Sequence, residues 1–219
     1  MSSKCSQISN EKDLKVLSYG DVVLYASDLR TLLPEMWLND NILSFACDYL
    51  LSNAPDDIKE QQLFAASCEL IRYCGEMEVI RGIFDTLDLS NKEKVLFIMN
   101  DRNDPTAVGG THWSLLVLIN RQSLFRYYDS MSKSKAPVAR QLVNILTPFL
   151  DAKQYSFVVE DCAQQYNSFD CGLYVIEFVR HELKVGNSSA DCVGPDYMNT
   201  QRQHWIDIIN SLSSAQRCD

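Results

Sequence analysis

Between Val95 and Tyr128 the chain carries three short apolar runs, Val95–Met99, Trp113–Ile119 and Ser123–Tyr128. Runs this short and this continuous read as buried strands, which need cover over the sheet they form. The flanking sequence supplies that cover. Ile42, Phe45, Ala46, Tyr49 and Leu50 recur at the three-and-four spacing of one helix face, behind Asn39 or Asp40 as N-cap. Val138, Leu142, Ile145, Leu146 and Phe149 repeat the spacing beside Pro137, a residue suited to a first helical turn. Cys171 opens an apolar helix to about Leu183, and Trp205, Ile208, Ile209 and Leu212 mark an amphipathic one. Helices are also expected over 57–74 and 77–84, a strand over 155–160, and a short strand or extended arm over Val16–Tyr19. The fold class is α+β, with helices flanking a mainly antiparallel central sheet. Residues 1–13 read as a disordered polar tail, and 14–219 as a single domain.

Composition narrows the partners. With 20 basic and 29 acidic residues the net charge is −9, which argues against nucleic acid or an anionic membrane as partner and favours a basic segment. The start of the chain holds no apolar signal-peptide core, and no run is long enough to span a bilayer, so a site in the cytoplasm or nucleus is expected rather than secretion. The eight cysteines then read as reduced thiols, mostly small core residues. No C-x-x-C spacing and only three histidines occur, so no metal site and no cofactor are expected.

The second and third apolar runs form a candidate hairpin around Asn120-Arg121. With a two-residue loop, Ile119 faces Gln122 and, further along, His112 faces Asp129 on the same sheet face. Directly opposed Cβ atoms lie roughly 4.5–5.5 Å apart, within reach of a carboxylate–imidazole hydrogen bond. Such a pair fixes the imidazole tautomer, steadies its cation and leaves one ring nitrogen as a base. A half-buried histidine and a turn aspartate would be the plainer outcome for unrelated positions.

A polar loop, Gln164 to Asp170, runs into the helix that Cys171 opens. Unpaired backbone N–H groups and the helix dipole in a first turn favour negative charge, so a thiolate nucleophile is favoured there. Asp170 opposes this unless its side chain caps the helix or turns away, and Gly172 is expected to leave room for a substrate backbone. Cys47, Cys68 and Cys74 fit the ordinary reading of inert packing residues. A glutamine amide upstream could join the Cys171 N–H in binding an oxyanion, a donor worth ~3–4 kcal/mol in the barrier. Spacing leaves Gln164 and Gln165 nearly equal for that role.

Trp37-Leu38-Asn39-Asp40, Gly109 to Val117 around His112-Trp113, Tyr128-Asp129-Ser130 and Gln165 with Asp170 to Val175 stand in the order seen in the ubiquitin-like-protein proteases, also called sentrin-specific proteases. The chain resembles that family from about Leu17 to Leu212, and its deneddylase branch most. The resemblance implies a papain-like cysteine protease fold and cleavage after the C-terminal Gly-Gly of a ubiquitin-like modifier, on its precursor, on conjugates, or on both. It implies His112, Asp129, Gln165 and Cys171 as the catalytic set, choosing Gln165 over Gln164. It further implies that Trp37 and Trp113 wall a tunnel admitting only Gly-Gly, and that Asp40 binds the tail backbone. The expected partner is a neddylation-type modifier with its conjugates, met by a monomer. A SUMO- or ubiquitin-directed isopeptidase and a catalytically idle modifier-binding module are the alternatives.

Overall fold

The computed structural model describes residues 13–59, 62–64, 72, 75–102, 110–131, 135–150, 154–186 and 194–217. A short antiparallel hairpin, β1 (Lys15–Tyr19) and β2 (Val22–Tyr25), leads into α1 (Ala26–Arg30). Then follow α2 (Asp40–Ser52), α3 (Asp56–Lys59), β3 (Gln62–Phe64) and α4 (Met77–Leu87). The strands β4 (Lys94–Asn100), β5 (Trp113–Ile119) and β6 (Leu124–Tyr128) come next, then α5 (Ala136–Leu146), β7 (Ser156–Val159), α6 (Cys171–Glu182) and α7 (Pro195–Gln216). Most of the expected tail lies outside the described residues; its last residue, Asp13, accepts hydrogen bonds from the Ser27 backbone N–H and hydroxyl.

The five-stranded sheet runs β3-β4-β5-β6-β7. It is antiparallel at its centre, as the apolar runs predict, and parallel at both edges, where β3 joins β4 and β7 joins β6. Each parallel pair is linked by a helix, α4 or α5, as a same-direction crossover requires. The helix expected over 57–74 is interrupted: α3 ends at Lys59, and Gln62–Phe64 pairs with Lys94–Leu96. The other residues of that stretch, Arg72 excepted, lie outside the described set, as do 103–109 of the loop expected over 102–111.

Strand alternation divides the core in two. Leu96, Leu115, Val117 and Ile119 point into a cluster with β1, β2, α2, α6 and α7. Val95, Phe97, Met99, Leu116, Leu118, Phe125 and Tyr127 point the other way, onto α4 and α5. Helix α6 is buried from Cys171 through Val179, the pattern of a helix packed on all sides. Its C-terminal end is tied to the sheet. Glu182 receives Lys94 Nζ at 2.6 Å and the Tyr128 hydroxyl at 2.5 Å. Burial raises the Glu182 carboxyl, but Lys94 and Tyr128 more than offset that and hold it below its ordinary range.

The hairpin register differs from the two-residue-loop expectation. Asn120–Gln122 forms a 3₁₀ turn, closed by Ser123 in the left-handed region at φ 49°, so Ile119 pairs with Leu124 rather than Gln122. The cause is a second use of Asn120, whose side chain donates to the Leu89 and Lys92 carbonyls and whose N–H donates to Glu93. The loop is thereby pinned to the segment entering β4. Partners move by two residues, which preserves side-chain parity.

Candidate active site

At the open end of the hairpin the register, continued, sets Ser114 across from Asp129 and makes His112 its diagonal neighbour. Diagonal positions are ~7–8 Å apart, a span that imidazole and carboxylate can bridge. They do so here: His112 Nε2 and Asp129 Oδ1 are 2.7 Å apart, with both residues buried. The pair forms by a route one step removed from direct opposition. Asp129 Oδ1 also accepts the Met131 N–H at 3.0 Å, and Oδ2 the Tyr127 hydroxyl at 3.3 Å, so the carboxylate is oriented from both sides.

His112 stands just before β5, and its backbone is held by Asp101 at the end of β4. Asp101 Oδ1 accepts the N–H groups of Thr111 at 2.7 Å and His112 at 3.0 Å, while Oδ2 accepts the Thr111 hydroxyl and Lys135 Nζ at 2.8 Å. Burial raises this carboxyl, but Lys135 and Thr111 outweigh it and bring it to about 2, so Asp101 stays ionised as a fixed latch. No local pattern in the sequence marks this role, because the latch joins positions ten apart across a loop.

Cys171 is the first residue of α6, 2% exposed. With Nε2 given to Asp129, the buried Nδ1 is the imidazole nitrogen left to face the Cys171 thiol, which lies near enough to act on the ring. Burial lowers the basicity of His112, yet the Asp129 hydrogen bond and the nearby Cys171 outweigh it and raise its pKa to about 9. The imidazole is therefore set to stay protonated through neutral pH, the partner a thiolate needs. Asp170 is the N-cap residue but makes no side-chain cap bond. Its carboxylate turns to Arg202 of α7, at 2.6 Å, and to Asn167 Nδ2, at 2.8 Å. The charge that would oppose a thiolate is thus paired.

The two glutamines part company. Gln164 spends its amide N–H groups on the carbonyls of Asp129 and Cys162, both at 3.0 Å. Gln165 accepts the Ser130 hydroxyl at 2.7 Å and gives an N–H to the Asn167 carbonyl at 2.6 Å. One of its two amide N–H donors is enough for that bond. The backbone N–H of Gln165 also donates to the Ser130 carbonyl at 2.6 Å, fastening this loop beside Asp129.

Trp113 begins β5, half-buried, and its indole N–H donates to the Leu38 carbonyl at 2.9 Å. That bond draws the segment carrying Trp37, which is 45% exposed, to the same end of the sheet. Asp40 is exposed at the start of α2 and accepts the Asn41 N–H at 3.1 Å. Gly172 corrects an expectation. A Cβ there would meet Leu38 Cβ at 2.9 Å, so its missing side chain makes room for Leu38 and not for a substrate.

Comparison with known proteins identifies the family. Sentrin-specific protease 8 of Homo sapiens is 36% identical over 213 residues, 92% of this chain and 99% of its own length. NEDD8-specific protease 1 of Arabidopsis thaliana is 32% identical, over 92% of this chain and 95% of its own. The solved C-terminal Ulp1 protease domain in complex with Smt3, the yeast orthologue of SUMO, superposes with a TM-score of 0.72 over 94% of this chain and 90% of that one. At 18% identity that likeness speaks for the fold alone, and the fold is the α+β, papain-like one the sequence predicts. The family model for the Ulp1 protease family, C-terminal catalytic domain, matches residues 37–208, from Trp37 to Ile208 and so across the whole site; the chain belongs to this family.

Proposed function

We propose that the chain is a deneddylating cysteine protease that cleaves after the terminal Gly-Gly of a NEDD8-type modifier, in its precursor, in conjugates, or in both. The observation that carries the chemistry is the buried His112–Asp129 pair at 2.7 Å beside a cysteine that opens a buried helix. Similarity to relatives named for sentrin and NEDD8 supports the modifier.

In this reading the Cys171 thiolate attacks the carbonyl carbon of the terminal glycine. The oxyanion is met by the Cys171 backbone N–H and a Gln165 amide N–H; Gln164, whose donors are committed elsewhere, takes no part. As the C–N bond breaks, imidazolium His112 gives its proton to the leaving amine, and a thioester remains. Neutral His112 then takes a proton from water, which attacks the thioester; the modifier's carboxylate leaves, one proton passes to solvent, and the Cys171 thiolate with imidazolium His112 is restored. Asp129 holds the ring throughout. Trp37 and Trp113 flank the tail, and Asp40 binds its backbone. The enzyme works as a monomer in the cytoplasm or nucleus.

The test offers wild type and Cys171→Ala electrophile-tipped NEDD8, SUMO and ubiquitin, each carrying an amine-reactive-free C-terminal warhead. Labelling by the NEDD8 probe at Cys171 alone, lost in the variant, is the expected result. Faster labelling by the SUMO or ubiquitin probe would sink the modifier assignment. Tight binding of NEDD8 without labelling would indicate an idle binding module.

A further inference from the structure

We propose that Arg202, on the C-terminal helix α7, is a positioning residue for the nucleophile: its guanidinium neutralises Asp170 beside Cys171 and clamps the cysteine loop to the segment leading to Trp37. The inference rests on Cys171 being the nucleophile.

Arg202 is 7% exposed and Asp170 4% exposed. Nη2 donates to Asp170 Oδ1 at 2.6 Å and to the Phe169 carbonyl at 3.4 Å. Nη1 donates to the carbonyls of Thr31 at 3.1 Å and Leu33 at 2.9 Å. One planar group thus holds two stretches of chain, the residues immediately before Cys171 and the residues that lead through Trp37 to Leu38. Leu38 in turn packs on Gly172 and accepts the Trp113 indole. The guanidinium also sits 5.7 Å from the Phe169 ring centroid, which leaves it little freedom to swing away. Asn167 completes the loop by accepting the N–H groups of Phe169 and Asp170 through Oδ1.

The electrostatic consequence follows from the neighbours. Asp170 adjoins Cys171, so an unpaired carboxylate there would oppose thiolate formation; with Arg202 opposite it, the pair is neutral. A buried pair of this kind contributes little net stability, but removing one member leaves the other charge uncompensated. Among the described residues, the other ionisable groups facing this end of α6 include His112 and Asp129 from the sheet, Tyr174 one turn along α6, and Tyr166 on the loop before it. None of them changes in the variants below.

The test follows two readouts against pH: kcat/KM for a modifier–fluorophore substrate, and the rate of iodoacetamide alkylation at Cys171, resolved by peptide mass spectrometry. Arg202→Gln is expected to move the acid limb of both upward by about one unit, the lower end of what a lone adjacent charge produces. At a pH on that limb, this is a roughly tenfold slower alkylation. Asp170→Asn leaves the Arg202 cation unpaired and should move the limb down, a limb left in place counting against the proposal, and Arg202→Lys should keep most of the wild-type profile. These two variants carry the test should Arg202→Gln fail to fold. Equal losses of rate in Arg202→Gln and Asp170→Asn, with both limbs at the wild-type pH, would overturn the proposal and leave a purely structural tie. Failure of the parent reading is separate, since it appears as wild-type Cys171 unlabelled by every modifier probe.

Discussion

His112 shows how one side chain's surroundings set its task. Burial works against its protonated form, and Asp129 together with Cys171 outweighs burial, giving a pKa of about 9. The raised value means that the imidazolium needed to protonate a leaving amine is present below that pH and lost as pH rises through it. In Asp129→Asn the charge and the charge-assisted bond that raise the value are gone, while the burial that lowers it remains. The alkaline limb of kcat/KM should therefore move to lower pH, and the rate at neutral pH should fall by roughly 10²–10⁴-fold. A pH profile of the purified variant checks both; an alkaline limb still near pH 9 would refute the account. The residues of this pair are legible in the sequence because strand parity survives a two-residue change of register, which the 3₁₀ turn at Asn120–Gln122 introduces. Arg202 was not legible. Its partner Asp170 is 32 positions away and meets it only through the packing of α7 on α6.

At the scale of elements, the start of α6 packs closely on Leu38. Alanine is a better helix former than glycine, so Gly172→Ala gains something from propensity, at most ~1 kcal/mol. Against this, the added Cβ meets Leu38 Cβ at 2.9 Å, and Cβ is the root of a side chain rather than a mobile end. Overpacking of this kind costs about 1–3 kcal/mol, so the clash outweighs propensity. The expected result is a lower urea midpoint with an unchanged slope, together with reduced kcat/KM as the helix start shifts from Leu38 and the Trp113 bond. A midpoint at or above wild type would show that the Leu38 segment yields freely. The elements the sequence revealed are those whose own pattern suffices: the apolar runs of β4 and β5, and the periodic faces of α2, α5, α6 and α7. Those it hid depend on remote partners. β3 is three residues long and exists by pairing with Lys94–Leu96, and β2 with α1 follows a turn no apolar period marks.

Across the whole molecule, one sheet serves two cores, and the helix that carries the nucleophile packs in only one of them. Cys171 opens α6 on the face shared with β1, β2, α2 and α7, while α4 and α5 cover the opposite face. Since β4, β5 and β6 contribute alternate side chains to both clusters, neither cluster can be dismantled without the strands of the other. This predicts a single cooperative unfolding transition rather than two. The tryptophans make that testable. Trp113 and Trp205 pack in the site-side cluster, and Trp37, the third, adjoins Leu38 of that cluster, so intrinsic fluorescence reports one side alone. Leu142, fully buried on α5, lies on the other side. Leu142→Ala should cost about 2–5 kcal/mol through lost burial and a residual cavity. Its urea transition should fall by the same amount whether followed by tryptophan fluorescence or by far-ultraviolet circular dichroism. Well below that transition kcat should stay close to wild type, because Leu142 lies in the cluster on the opposite face of the sheet from α6 and the Arg202 clamp. A fluorescence midpoint left at the wild-type value while the dichroism midpoint drops would mean that the two cores unfold independently and that the shared sheet does not couple them.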